Sequence, residues 1–218
     1  MDTQLVASTF LLSLVTYFSV FSLGLLPAFV TYQRGAWRPS GLRDGVRSGL
    51  AAVGGMTFTY LVVALPAAAI WGKIPAHRFF ATALGLAFVA VGAFLALRAV
   101  KVPPTLAALV RGRRAQFALG AVYGVAALGV THYCPELVVA YLRAGQVSDA
   151  SWIFAAYLGG KGLLLLVAFA VAGALPRIQG AWAGARWVAG TPLAAAGLYV
   201  VAALALGLPL MPPFEAGH

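Results

Sequence analysis

The chain has 218 residues, of which 62% are hydrophobic and 9% charged, with a mean hydropathy of +0.92. That much apolar side chain does not fit inside one water-soluble core, so a soluble enzyme is excluded and the bilayer is the expected solvent. The formal charge of +10 would point to nucleic acid in a soluble domain, but the basic residues sit in short connections between apolar stretches, where they report topology and no nucleic-acid partner.

Six apolar stretches are long enough to cross about 30 Å of hydrocarbon at 1.5 Å per residue, near 5–33, 46–72, 79–100, 116–142, 151–175 and 188–211. The expected fold is therefore an all-α polytopic membrane protein with a single membrane domain. A closed barrel would need short alternating strands, and the run from Leu163 to Ala172 does not alternate. The first stretch carries Gly24 and Pro27 and ends Pro27-Ala28-Phe29 with Tyr32. Asp2 and the lack of a basic residue before it argue against a cleaved signal peptide.

The first, third and fifth connections hold Arg34, Arg38, Arg43 and Arg47; Arg98, Lys101, Arg111, Arg113 and Arg114; and Arg177 and Arg186. The opposite side holds only Lys73, Arg78 and Arg143, so the odd connections are expected in the cytoplasm and both termini outside. Residues 101–115, with Pro103 and Pro104, read as a basic linker between two three-helix halves, 1–100 and 116–218. The third and sixth stretches share a Gly-Leu motif at Gly85 and Gly197. The first and fourth share the Pro-to-Tyr-to-Gly pattern that begins at Pro27 and Pro135. An odd number of spans per half implies inverted repeats, which commonly place a working site at the midplane between helices broken by Gly or Pro. Gly24, Pro27, Gly129 and Pro135 are the expected breaks. The glycines at 54, 55, 85, 92, 159, 160, 162 and 197 are expected to let helices approach closely.

The chemistry concentrates in the fourth stretch, at His132-Tyr133-Cys134-Pro135-Glu136. Ionisable groups are expensive in a bilayer and mark function by default. Cys134 is the only cysteine, so no disulfide forms within one chain, and its thiol is the best candidate for exchange chemistry. His132 and Glu136 are four residues apart and stack on one face of an intact helix, with Cys134 turned away. The three are possible zinc or copper ligands, but H-x-C-x-E has no accepted ligand spacing and no metal is assigned. Lys161, in Gly159-Gly160-Lys161-Gly162, is expected to snorkel to the outer interface, with pairing to Glu136 as the alternative.

With these residues in view, the chain resembles the CcdA family, six-helix electron carriers that match the transmembrane region of the disulfide reductase DsbD. Pro27-Ala28-Phe29 with Tyr32 looks like the family's first-span ending after its S-P-C motif. Phe117-Ala118-Leu119-Gly120 followed by Cys134 looks like the approach to the fourth-span P-C motif, and Tyr157-Leu158-Gly159 is similar to the fifth-span pattern. The resemblance implies a bacterial or archaeal cytoplasmic membrane protein that passes electrons from cytoplasmic thioredoxin to extracytoplasmic thioredoxin-like proteins for cytochrome c maturation. It implies no cofactor. Cys134 would be the fourth-span redox cysteine, although another alignment places Val130 there. The partner cysteine of the first span is missing: an ungapped match puts Phe21 at its position, and the internal repeat puts Leu26 there. The alternative expectation is a small metal-ion or solute transporter using His132, Cys134 and Glu136.

Overall fold

The computed structural model describes residues 3–17, 41–71, 77–97, 113–128, 133–174 and 186–206. Phe21, Gly24, Leu26, Pro27, Gly129, Val130 and His132 lie outside the described residues. All regular structure among the described residues is helical. The helices are α1 (Thr3–Tyr17), α2 (Leu42–Thr59), α3 (Leu65–Trp71), α4 (His77–Leu97), α5 (Arg113–Leu128), α6 (Tyr133–Arg143), α7 (Val147–Ala174) and α8 (Arg186–Ala205), with a π-helical segment, Tyr60–Ala64, joining α2 to α3. Each of the six apolar stretches contains helix. Helices also run on into basic flanks, so Arg43 and Arg47 belong to α2 and Arg113 and Arg114 to α5, within residues expected to be linker.

Two continuous helical stretches, Leu42–Ile70 and Val147–Ala174, are long and apolar enough to cross a membrane, at 29 and 28 residues. Their surfaces suit lipid. On α7, Leu163, Val167 and Val171 follow one another at four-residue spacing and are all exposed, while Ala150, Ile153, Tyr157, Lys161, Leu165 and Phe169 form a buried stripe on another face. A row of exposed large aliphatic side chains is unfavourable in water and normal against hydrocarbon.

Glycines set the helix contacts and reveal the relative directions of the helices. Gly120 packs against the backbone of Ala52, Gly55 against Phe117 and Ala121, and Gly124 against Met56 and Thr59, so α2 and α5 run parallel. Thr59 ties that pair further, its Oγ1 donating to the Ala121 carbonyl at 3.1 Å. Gly45 meets Phe169 and Gly173 while Gly162 meets Val53, so α2 and α7 are antiparallel. Gly85 against Val201 and Gly197 against Val89 make α4 and α8 antiparallel. The close-approach expectation therefore holds at Gly55, Gly85, Gly160, Gly162 and Gly197. It does not hold at Gly54 and Gly159, where an added Cβ would find nothing nearer than 3.8 Å.

Two local features shape the middle of the bundle. Pro66 has no N–H to offer the Val62 carbonyl, and just before it the helix widens so that the Leu65 N–H bonds to the Tyr60 carbonyl, a five-residue step. The α6–α7 connection is a tight hairpin. Gly145 sits at φ 76°, the Gln146 N–H donates to the Tyr141 carbonyl at 2.9 Å and the Gly145 N–H to the Leu142 carbonyl at 3.1 Å, which is a Schellman C-cap.

Candidate functional site

In the fourth apolar stretch the described residues form α5, Arg113–Leu128, and α6, Tyr133–Arg143. Pro135 lies in α6 and is fully buried. Cys134 precedes it in the same helix. It is a free thiol at 2% exposure, packed in the central hydrophobic cluster with Tyr60, Val138, Ile153 and Tyr157.

Glu136 lies two positions further along α6, about 200° around the helix from Cys134, and is half-buried. The two side chains thus leave different faces of α6. Among the described residues no three His, Cys, Asp or Glu side chains gather as metal ligands.

Lys161 overturns the snorkelling expectation. It is 1% exposed, in the middle of α7, and turned into the bundle. The physical reason is its helical register. It stands four residues after Tyr157 and four before Leu165, on the buried stripe, and the glycines beside it let neighbours close in. Gly160 abuts Phe10 and Ser13 of α1, and Gly162 abuts Val53 and Met56 of α2, leaving the lysine stem no route to the surface.

The ammonium is met by two tyrosines that sequence reasoning missed. Lys161 Nζ lies 3.5 Å from the Tyr60 hydroxyl and 4.9 Å from the Tyr157 ring centroid. The two hydroxyls are 3.1 Å apart and the rings stack edge-to-face, with centroids at 5.5 Å and planes at 66°. A cation over aromatic faces recovers part of its lost hydration. Tyr60 is the first residue of the π-helical segment, so the Pro66 irregularity helps set where this hydroxyl points. Cys134 belongs to the same buried cluster as both tyrosines. Thiol, ammonium and two phenols, all able to exchange protons, thus lie in the bundle core, contributed by the π-helical segment, α6 and α7.

A cleft of about 230 Å³ opens where α6 turns into α7, lined by Leu5, Val6, Tyr141, Gln146, Asp149 and Ile153. Ile153, which lines this cleft, is one helical turn before Tyr157. Arg143 braces the same end, donating to the Ala69 carbonyl of α3 at 2.7 Å. Comparison with models of known families, with curated proteins and with solved structures finds no match to this chain.

Proposed function

We propose that this chain is a thiol-exchange electron carrier of the cytoplasmic membrane, CcdA-like in its plan of two inverted three-helix halves, with Cys134 as the reacting sulfur. The observation that carries this reading is the placement of the only thiol in the buried cluster that also holds Tyr60 and Tyr157, the two tyrosines that meet the buried Lys161. A thiolate is the attacking species in exchange, and Lys161 is the proposed cation to favour it. The cleft above Ile153 is the proposed approach for the extracytoplasmic thioredoxin-like partner. Because Cys134 is buried, exchange requires the bundle to open around it.

With one sulfur, the cycle runs through mixed disulfides. Cys134 thiolate attacks the outer partner's disulfide, and the displaced sulfur leaves and takes up a proton. A thiolate of cytoplasmic thioredoxin then attacks Cys134, releasing the outer partner as its second thiol. The second thioredoxin cysteine closes thioredoxin's own disulfide and expels Cys134 as a thiol. Two electrons and two protons pass from thioredoxin to the outer partner. The test is reduction of an external thioredoxin-like protein by thioredoxin, its reductase and NADPH enclosed in vesicles. Vesicles with the wild-type chain should support it and Cys134→Ser vesicles should not; equal rates would reject the role of Cys134.

A further inference from the structure

Lys161 is buried at the middle of α7, a helix long and apolar enough to cross a membrane, and an ionisable group held there marks function by default. The titratable groups around it come from few places among the described residues. On α7 itself Tyr157 is one turn before Lys161 and Asp149 more than three turns before. From α1, Phe10 and Ser13 reach the neighbouring Gly160, and neither titrates. The charges of α2, Arg43, Asp44 and Arg47, flank Gly45, which meets Phe169 and Gly173, two turns or more beyond Lys161. Tyr60 comes from the π-helical segment. From α6 come Cys134, in the same cluster as both tyrosines, and the half-buried Glu136, with Tyr141 and Arg143 at the hairpin end of that helix.

Two hydroxyls suit a lysine that changes charge. A carboxylate accepts hydrogen bonds only and so favours the ammonium, whereas a phenol both donates and accepts. Toward an ammonium the Tyr60 oxygen accepts, across the 3.5 Å contact to Nζ. Toward a neutral amine the same hydroxyl turns and donates to the nitrogen lone pair. The Tyr60–Tyr157 bond at 3.1 Å allows that reversal, because either oxygen can be its donor. The hydroxyl pair therefore follows the charge of the lysine by moving protons alone.

The backbone is shaped to hold Tyr60 there. Each four-residue step along an α-helix overshoots a full turn by about 40°, so the four steps from Ala52 to Ala68 would drift about 160° around the axis. Ala52, Met56, Tyr60, Ala64 and Ala68 are nevertheless all buried. The wider turn of Tyr60–Ala64 offsets part of the drift, and π-helical turns of this kind are frequent at functional sites.

We propose that Lys161, Tyr60 and Tyr157 form a proton-binding site in the core of the membrane domain, at which the lysine takes up and gives up a proton as the protein works. On release the ammonium loses one proton to water by way of the two hydroxyls, each giving up a proton as it takes one, and uptake is the reverse. The site goes beyond the thiol-exchange reading and does not rest on it.

The test follows the three lysines of the chain, Lys73, Lys101 and Lys161, labelled with nitrogen-15 at Nζ, by NMR of the purified full-length protein in neutral detergent. Lys161→Met removes one resonance and so assigns it. An ordinary lysine stays ammonium from about pH 5 to 9. The Lys161 resonance is expected to pass reversibly between its ammonium and amine positions inside that range. Tyr60→Phe deletes the hydroxyl in contact with Nζ and should move the midpoint by at least about half a pH unit, the equivalent of one ordinary hydrogen bond. Tyr157→Phe keeps the ring and should move it less. Tyr199→Phe, at an exposed tyrosine of α8, should leave it in place. A Lys161 resonance held in one form across the range would overturn the proposal, as would a midpoint that neither Tyr60→Phe nor Tyr157→Phe moves. The titration reads the lysine and not the sulfur, so the role of Cys134 stands or falls separately in the vesicle assay.

Discussion

Replacing Lys161 by Met removes the buried charge while keeping most of the stem volume, and the expected consequence is a more stable protein that no longer works. Transferring an ammonium out of water costs several kcal/mol in a real protein. The contacts seen around Nζ return only part of that. The 4.9 Å approach to Tyr157 and the 6.0 Å approach to Tyr60 are worth roughly 0.5–2 kcal/mol together, the second being at the limit of range. The 3.5 Å contact to the Tyr60 hydroxyl is longer than a good hydrogen bond and is worth less than about 1 kcal/mol. Even buried ion pairs are often improved by apolar replacement, by about 1–4 kcal/mol. The Tyr60–Tyr157 hydroxyl pair does not depend on the lysine and should persist. Lys161→Met is therefore expected to gain about 1–3 kcal/mol, a rise in melting temperature of roughly 2–10 °C in detergent for a chain of this size. In the vesicle assay it should lose electron transfer. A fall in melting temperature would refute the reasoning, because it would make Lys161 a structural tie. Retained transfer would separate the lysine from the chemistry of Cys134.

Two further expectations concern the scaffold. Gly120→Ala would drive a methyl group into the backbone of Ala52, which cannot move aside as a side chain could, so α2 and α5 must separate at a cost of about 1–3 kcal/mol. Gly54→Ala meets only the Phe117 ring at 3.8 Å and should be neutral or up to about 1 kcal/mol stabilising through helix propensity; thermal unfolding of both variants checks the contrast. Gly145→Ala has open space around it but a left-handed backbone, so its expected loss of about 1–2 kcal/mol is conformational alone, visible as faster hydrogen exchange at the α6–α7 hairpin.

Much of the helical framework was legible because hydrophobicity is cumulative: each of the six apolar stretches carries helix, and helix–helix contacts fall at several of the expected glycines. Helix ends were less legible. Apolar runs stop where basic residues begin, but backbone hydrogen bonding does not, so Arg43, Arg47, Arg113 and Arg114 are helical. Depth along the span points to snorkelling for Lys161, but depth does not say which face a residue occupies, and Lys161 is buried. Register held the answer, since Ile153, Tyr157, Lys161, Leu165 and Phe169 recur every four residues. Tyr60 was out of reach of that argument. Its partner Tyr157 is 97 residues away, and the π-helical segment shifts the face on which Tyr60 points.

The central claim is that Cys134 is a thiol that exchanges with protein partners. Its most direct test mixes the purified chain with a thioredoxin that lacks its resolving cysteine and is activated as a mixed disulfide. The account predicts a covalent adduct that reductant dissolves, that maps to Cys134 and that is absent in Cys134→Ser. No adduct, with Cys134 shown to be reduced and intact, would contradict it.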